Sequence, residues 1–156
     1  MADVEQGQIR NYRSILDKEH YQELNRAIGL ASHGVGIGSY VYLRRIFERL
    51  VEESHLKATG DSGWDEEAYT KSRMDNKIAL LKHHLPEFLV EQRSLYGILS
   101  KGVHSLDEDT CLAHFPLLRA GIELILDQKL ALDRQAKKMA EAKKQIGLLQ
   151  QQLKKD

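Results

Sequence analysis

Arg93, Ser100 and His104 are the residues whose types and spacing best suit chemistry. In a helix, Arg93, Gly97, Ser100 and His104 recur at +4, +3 and +4, so they share one face. An arginine, a hydroxyl and an imidazole then lie on a line that ends at a helix C-terminus. Such an end favours a protonated imidazole. Tyr96 borders the same face, and Lys101 is close in sequence but on another face. Leu95, Leu99 and Val103 point away, toward a core. A structural reading competes and is preferred. His104 can cap carbonyls at the helix end, and Ser100 can bond a backbone carbonyl or the next helix. The small residues Gly97, Ser100 and Gly102 would let two helices approach closely.

A second cluster is basic. Arg44, Arg45 and Arg49, with Lys57, could form a phosphate-binding ridge. Glu48, Glu52 and Glu53 are interleaved with them, so pairing within the helix is the default expectation. From Lys137 to Lys155 six lysines stand against Glu141 alone, a solvated helix face or an arm that touches nucleic acid. No metal site is expected. His83 and His84 are adjacent and point to different sides of a helix, whereas metal pairs on helices want +3 or +4. Cys111 is the sole cysteine, which excludes a disulfide framework, and the acids Asp107, Glu108 and Asp109 beside it work against a reactive thiolate. Gly34, Gly36 and Gly38 alternate, but no strand precedes them, so a tight interhelical turn is expected in place of a dinucleotide site. No cofactor is implied.

The elements that position these residues are helical. The 156 residues are 42 % hydrophobic and 29 % charged, with 23 basic and 23 acidic residues. A zero net charge argues against bulk nucleic-acid or membrane-surface binding. The N-terminus is acidic and polar, unlike a signal peptide, and no apolar run reaches membrane-spanning length. A cytoplasmic location is the default, with no membrane partner. Only Pro86 and Pro116 break stretches rich in Ala, Leu, Glu, Lys, Gln and Arg, so the chain reads as all-α.

Residues 1–14 are expected to form a flexible N-terminal segment. A first helix is predicted over 17–33 and a second from the glycine turn to about Ala58. Thr59–Gly63 reads as a loop, and a third helix over 65–85 carries Met74, Ile78, Leu81 and Leu85 as its buried stripe. A fourth begins at Pro86. Ser105 and Glu108 match a capping box for a fifth, which Pro116 should kink or divide and which could reach residue 153. Ile125, Leu132, Met139, Ile146 and Leu153 stand seven apart along it, a candidate coiled-coil or dimer seam. Lys129, Lys143 and Gln150 interrupt the second seam position. A helix this long must project, fold back or find a partner. The expected architecture is an up-and-down bundle of four to five helices over 15–130, with a projecting helical extension over 131–156.

The stretch from Leu81 to Leu126 resembles bacterial HEPN-type helical domains. The likeness rests on Leu85-Pro86-Glu87-Phe88-Leu89-Val90-Glu91, on Tyr96-Gly97-Ile98-Leu99-Ser100-Lys101-Gly102-Val103-His104, and on Ala120-Gly121-Ile122-Glu123-Leu124-Ile125-Leu126-Asp127. Gly36 to Glu48 resembles the long early helix of the same group, and the likeness covers about residues 16–130. It implies a helical bundle that usually dimerises. Many members are metal-independent ribonucleases of toxin and antiphage systems, marked by an arginine, four to six residues, and a histidine. The histidine helps the ribose hydroxyl attack the adjacent phosphate, and the arginine stabilises the developing charge. His104 stands where that histidine would be. Leu99, Ile98 and Gly97 occupy the places where the arginine would stand. Arg93 lies eleven residues before His104, which is about 16 Å along a helix.

The expected function is therefore a non-enzymatic interaction and dimerisation module of HEPN type, part of a bacterial defence or regulatory system. Its partners would be a second copy, engaged through the bundle face or through the Ile125–Leu153 stripe, or another protein, engaged through the C-terminal helix. The alternative is a metal-independent endoribonuclease or toxin acting on RNA through His104, with Arg93 or Arg45 supplied across a dimer and Ser100 alongside. Arg44, Arg45, Arg49, Tyr96 and Lys101 are the candidate binding residues.

Overall fold

The computed structural model describes residues 9–155, and among them every regular element is a helix. A 3-10 turn over Arg10–Ser14 precedes seven α-helices: α1 (Lys18–Ser32), α2 (Gly36–Ala58), α3 (Glu66–Lys71), α4 (Met74–Leu80), α5 (Glu87–Glu91), α6 (Ser94–His104) and α7 (Glu108–Lys154). The all-α reading and the long C-terminal helix hold. Residues 1–8 of the expected flexible segment lie outside the described residues. Residues 9–14 correct that expectation. Ile9 and Tyr12 are buried, and the Tyr12 hydroxyl donates to Asp127 Oδ1 at 2.5 Å, so this stretch is tied to α7.

Local chemistry explains most boundaries. Asp17 caps α1 by accepting from the His20 N–H at 2.8 Å, and Asp65 caps α3 in the same way. Gly34 ends the α1 hairpin with φ of 83°, a backbone shape that costs glycine least. The helix predicted over 65–85 is interrupted twice. Ser72 and Arg73 are extended, separating α3 from α4. Pro86 then disfavours a helical residue before it, and residues 81–85 form a turn. The helix predicted from Pro86 is likewise divided into α5 and α6 at Gln92, whose ψ is 39°. The expected stripe still packs inward, with Ile78, Leu81 and Leu85 buried and Met74 partly so.

The expected Ser105 capping box is corrected. Asp107 is the N-cap of α7, accepting from the Thr110 N–H at 2.7 Å. Pro116 does not divide this helix. It is exposed, so water can take the carbonyl its missing N–H leaves unpaired.

Helix α2 is the axis of the bundle and packs along α1, α6 and α7. Its Tyr40, Leu43, Ile46 and Phe47 are fully buried, among the largest side chains of the core. The core face of α7 runs from Cys111 to Leu130 and stops there. The remaining 24 residues of α7, Ala131–Lys154, contain no buried side chain. They project, one of the three outcomes the length argument allows.

Candidate functional site

Two features of the bundle carry candidate function. The first is where α2 crosses α6. That crossing sets Arg44 opposite Tyr96 and His104. The Arg44 guanidinium lies 5.6 Å from the Tyr96 ring centre, which Phe47 supports from behind at 5.5 Å. Arg44 Nε donates to Glu48 Oε1 at 2.9 Å, and its Nη1 lies 3.5 Å from His104 Nε2. A guanidinium has only donors, so the imidazole takes this contact as an acceptor, with Nε2 unprotonated. The Tyr96 hydroxyl first, and the Glu48 carboxylate after it, hold Arg44 still more firmly in its charged form against the opposing effect of burial. Beside them, Val41, Arg44, Arg45, Glu48 and Val103 line a recess of about 230 Å³.

The expected residues divide at this site. Arg93 is exposed at the N-cap of α6, and His104 closes the same helix, so the two stand at opposite ends. Ser100 is half-buried one turn before His104, and Lys101 is exposed. The arginine that reaches His104 is Arg44, sixty positions away in sequence. Arg45 turns aside, donating at 3.1 Å to the buried Glu23 and stacking on Tyr42. Arg49 pairs with Asp17 at 3.2 Å and with Glu53 at 3.3 Å. The three arginines of the ridge are therefore each paired with carboxylates, Arg44 and Arg49 with the interleaved Glu48 and Glu53 and Arg45 with Glu23. Burial first, then Glu108 and Asp107, push the Cys111 thiol upward, in line with its expected inertness. Among the described residues no group of three His, Cys, Asp or Glu side chains is placed to hold a metal ion.

A cluster missed by sequence reasoning lies at the loop before α3. His55 stacks on Tyr69 at 3.9 Å, and its Nε2 lies 2.8 Å from Glu66 Oε1. Trp64 Nε1 donates to Glu66 Oε2 at 2.7 Å. These four residues clasp the 59–65 loop to α2, a pairing across eleven positions that no helical period reveals.

The second feature is an apolar face of α7. Leu117, Leu124, Leu132, Met139, Ile146, Leu149 and Leu153 are each 48–70 % exposed. At 100° per residue these seven fall within a sector of about 100°. Of the large exposed apolar residues on α7, only Leu148 lies off it. The buried residues of the same helix, Cys111 to Leu130, centre roughly 140° round from this stripe. Ile125 corrects the expected seam: it is fully buried in the bundle, and Leu124 takes its place on the free face. The open stripe therefore begins on the bundle, at Leu117, narrows where Leu95 and the start of α5 cover Gly121 and Gln128, and widens again on the projecting arm.

No protein-family model, curated protein or solved structure matches this chain. Among the described residues, no helix is long and apolar enough to cross a membrane.

Proposed function

We propose that the chain is a non-enzymatic, HEPN-like interaction module that pairs as a homodimer through its C-terminal helix, serving a bacterial defence or regulatory system. One observation carries the reading: the exposed stripe from Leu117 to Leu153. It spans 36 residues, about 54 Å at 1.5 Å per residue. Contiguous apolar surface on this scale marks an interaction site. Deletion of residues 131–156 tests the reading, because the core ends at Leu130 and the bundle keeps its buried side chains. Sedimentation should show a dimer for the full chain and a monomer for the truncated one. An unchanged oligomeric state would sink the proposal.

A second reading, metal-independent RNA cleavage, is favoured by the contact between Arg44 and His104. In that reading Nε2 of His104 accepts the proton of a ribose 2′-hydroxyl as its oxygen attacks the adjacent phosphorus. The 5′-oxygen leaves, taking up a proton from water, and a 2′,3′-cyclic phosphate remains. Arg44 would release both Glu48 and His104 Nε2 to bind the phosphate, which frees the Nε2 lone pair for the proton and stabilises the phosphate's charge. RNA incubated with the protein in excess chelator should be cut by the native chain and spared by His104→Ala and Arg44→Ala. Intact RNA with the native chain would end this reading.

A further inference from the structure

The shape and charge of α7 specify how two copies would meet. We infer that the dimer is antiparallel along the whole of α7, with the arm of each subunit lying on the bundle segment of the other. This inference rests on the dimer proposed above and adds its orientation and register.

The stripe is self-complementary when reversed. Leu117 and Leu124 are seven residues apart, and so are Ile146 and Leu153. With Gln135 on the two-fold axis, Leu117 faces Leu153 of the partner subunit, and Leu124 faces the partner's Ile146. Near the axis Leu132 faces the partner's Met139, one residue from strict symmetry. A two-fold pairing of this kind closes on itself and uses one patch twice. It also explains Leu117, which at 70 % is the most exposed large apolar side chain among the described residues. No arm-to-arm pairing confined to residues 131–154 would cover Leu117 and Leu124.

Charge selects the same orientation. Glu108–Leu130 carries four acids against two cations. Arg119 pairs with Glu123 inside the segment and Lys129 with Glu53 outside it, so its net negative charge comes from Glu108, Asp109 and Asp127. Ala131–Lys154 carries six cations against two acids. Antiparallel pairing lays the basic half on the acidic half twice over. A parallel pair would set Lys138 and Lys143, which flank the stripe, against the same lysines of the partner, a repulsive arrangement. The core face of α7 lies well away from the stripe. Within the stripe's sector the bundle reaches Gln128, which accepts from the Phe88 N–H, and Gly121, which lies under Leu95, so the incoming arm must pass beside the start of α5.

Spin labels at two positions decide the orientation. Leu153→Cys and Gln135→Cys are made separately in the full chain, with Cys111 left buried and unlabelled. Pulsed dipolar spectroscopy should place the two labels at 153 about 54 Å apart, since 36 helical residues at 1.5 Å each separate them in an antiparallel pair. The labels at 135 should lie within about 20 Å of each other, since that position sits at the axis of a helix pair some 10 Å across. A distance below about 20 Å at 153 would overturn the antiparallel arrangement and leave the dimer standing. A monomeric mass for the native full chain at the same concentration would overturn both and assign the stripe to a different protein.

Discussion

The Glu108 carboxylate caps a helix that is not its own: its Oε2 accepts from the Gly36 N–H at 2.6 Å and from the Ile37 N–H at 3.1 Å. The N-cap of helix α2 is Val35, a residue with no side-chain acceptor. The first amides of α2 therefore depend on a glutamate 72 positions later in the chain. The positive end of the α2 dipole favours a carboxylate there. The start of α7 is thereby tied to the start of the central helix. Replacing Glu108 with Ala should cost about 1–2 kcal/mol, the range for a lost N-cap. Glu108→Gln keeps one carbonyl acceptor and should lose less. Denaturant unfolding of the three proteins checks the order; equal stability of all three would dismiss the cross-cap.

Two glycines of α6 should respond with opposite signs. A Cβ on Gly102 would lie 2.1 Å and 2.5 Å from two ring atoms of Tyr40. Tyr40 is fully buried, so its ring has nowhere to go. Gly102→Ala should destabilise by about 2–3 kcal/mol through overpacking. A Cβ on Gly97 would meet nothing within 4 Å. Gly97→Ala should therefore stabilise by up to about 1 kcal/mol, the helix-propensity difference. Chemical unfolding of both variants reads the two signs directly.

Sequence periodicity located these glycines and suggested a close helix approach, but it could not say which glycine makes it. The answer needs Tyr40, sixty-two positions before Gly102. The same gap explains Arg44. Its place on a ridge follows from helical spacing, whereas its contact with His104 depends on how α2 crosses α6. A core stripe built from neighbours was legible: Met74, Ile78, Leu81 and Leu85 pack inward as their spacing implies. The Ser105 box failed because Asp107 competes for the same helix start and Glu108 is drawn away to α2. Ile125 misled for a geometric reason. A strict seven-residue repeat drifts about 20° per heptad round a straight helix, so a stripe that is free at Leu153 reaches the core face by Ile125.

Buried phenols make the fold sensitive to base. Burial, and after it the neighbouring Cys111, pushes the Tyr40 hydroxyl up to about 12. Burial also raises Tyr12, with Asp127 adding to it, and Tyr69, with Glu52 and Glu66 adding to it. A folded-state value above the unfolded one means the folded state holds the proton more tightly. The stabilisation is complete below the unfolded phenol value of about 10 and is lost as pH rises toward 12. Circular dichroism and phenolate absorbance followed together from pH 8 upward should show these tyrosines ionising only as the helices melt. Among the described residues the Tyr40 hydroxyl also has no hydrogen-bond partner. Tyr40→Phe removes a buried, unpaired hydroxyl and should raise stability by about 1 kcal/mol. A loss of stability in that variant would mean the hydroxyl has a partner after all.

Salt separates the ways in which α7 could pair. Apolar burial along the stripe changes little with ionic strength, whereas the charges flanking it are exposed and open to screening. In the antiparallel dimer the basic arm of one subunit lies on the acidic bundle segment of the other, and screening removes an attraction. Dissociation should therefore become easier as the Debye length shrinks from about 30 Å at 0.01 M to about 3 Å at 1 M. In a parallel dimer the same screening would remove repulsion between like-charged lysines, and association would tighten. Replacing Lys138 and Lys143 with Gln should act in the same direction as salt: weaker pairing if they face acids, stronger if they face each other. Sedimentation equilibrium at low and high salt, on the native and the double variant, gives the sign twice. Tightening in both would exclude the antiparallel dimer while retaining α7 as the interface.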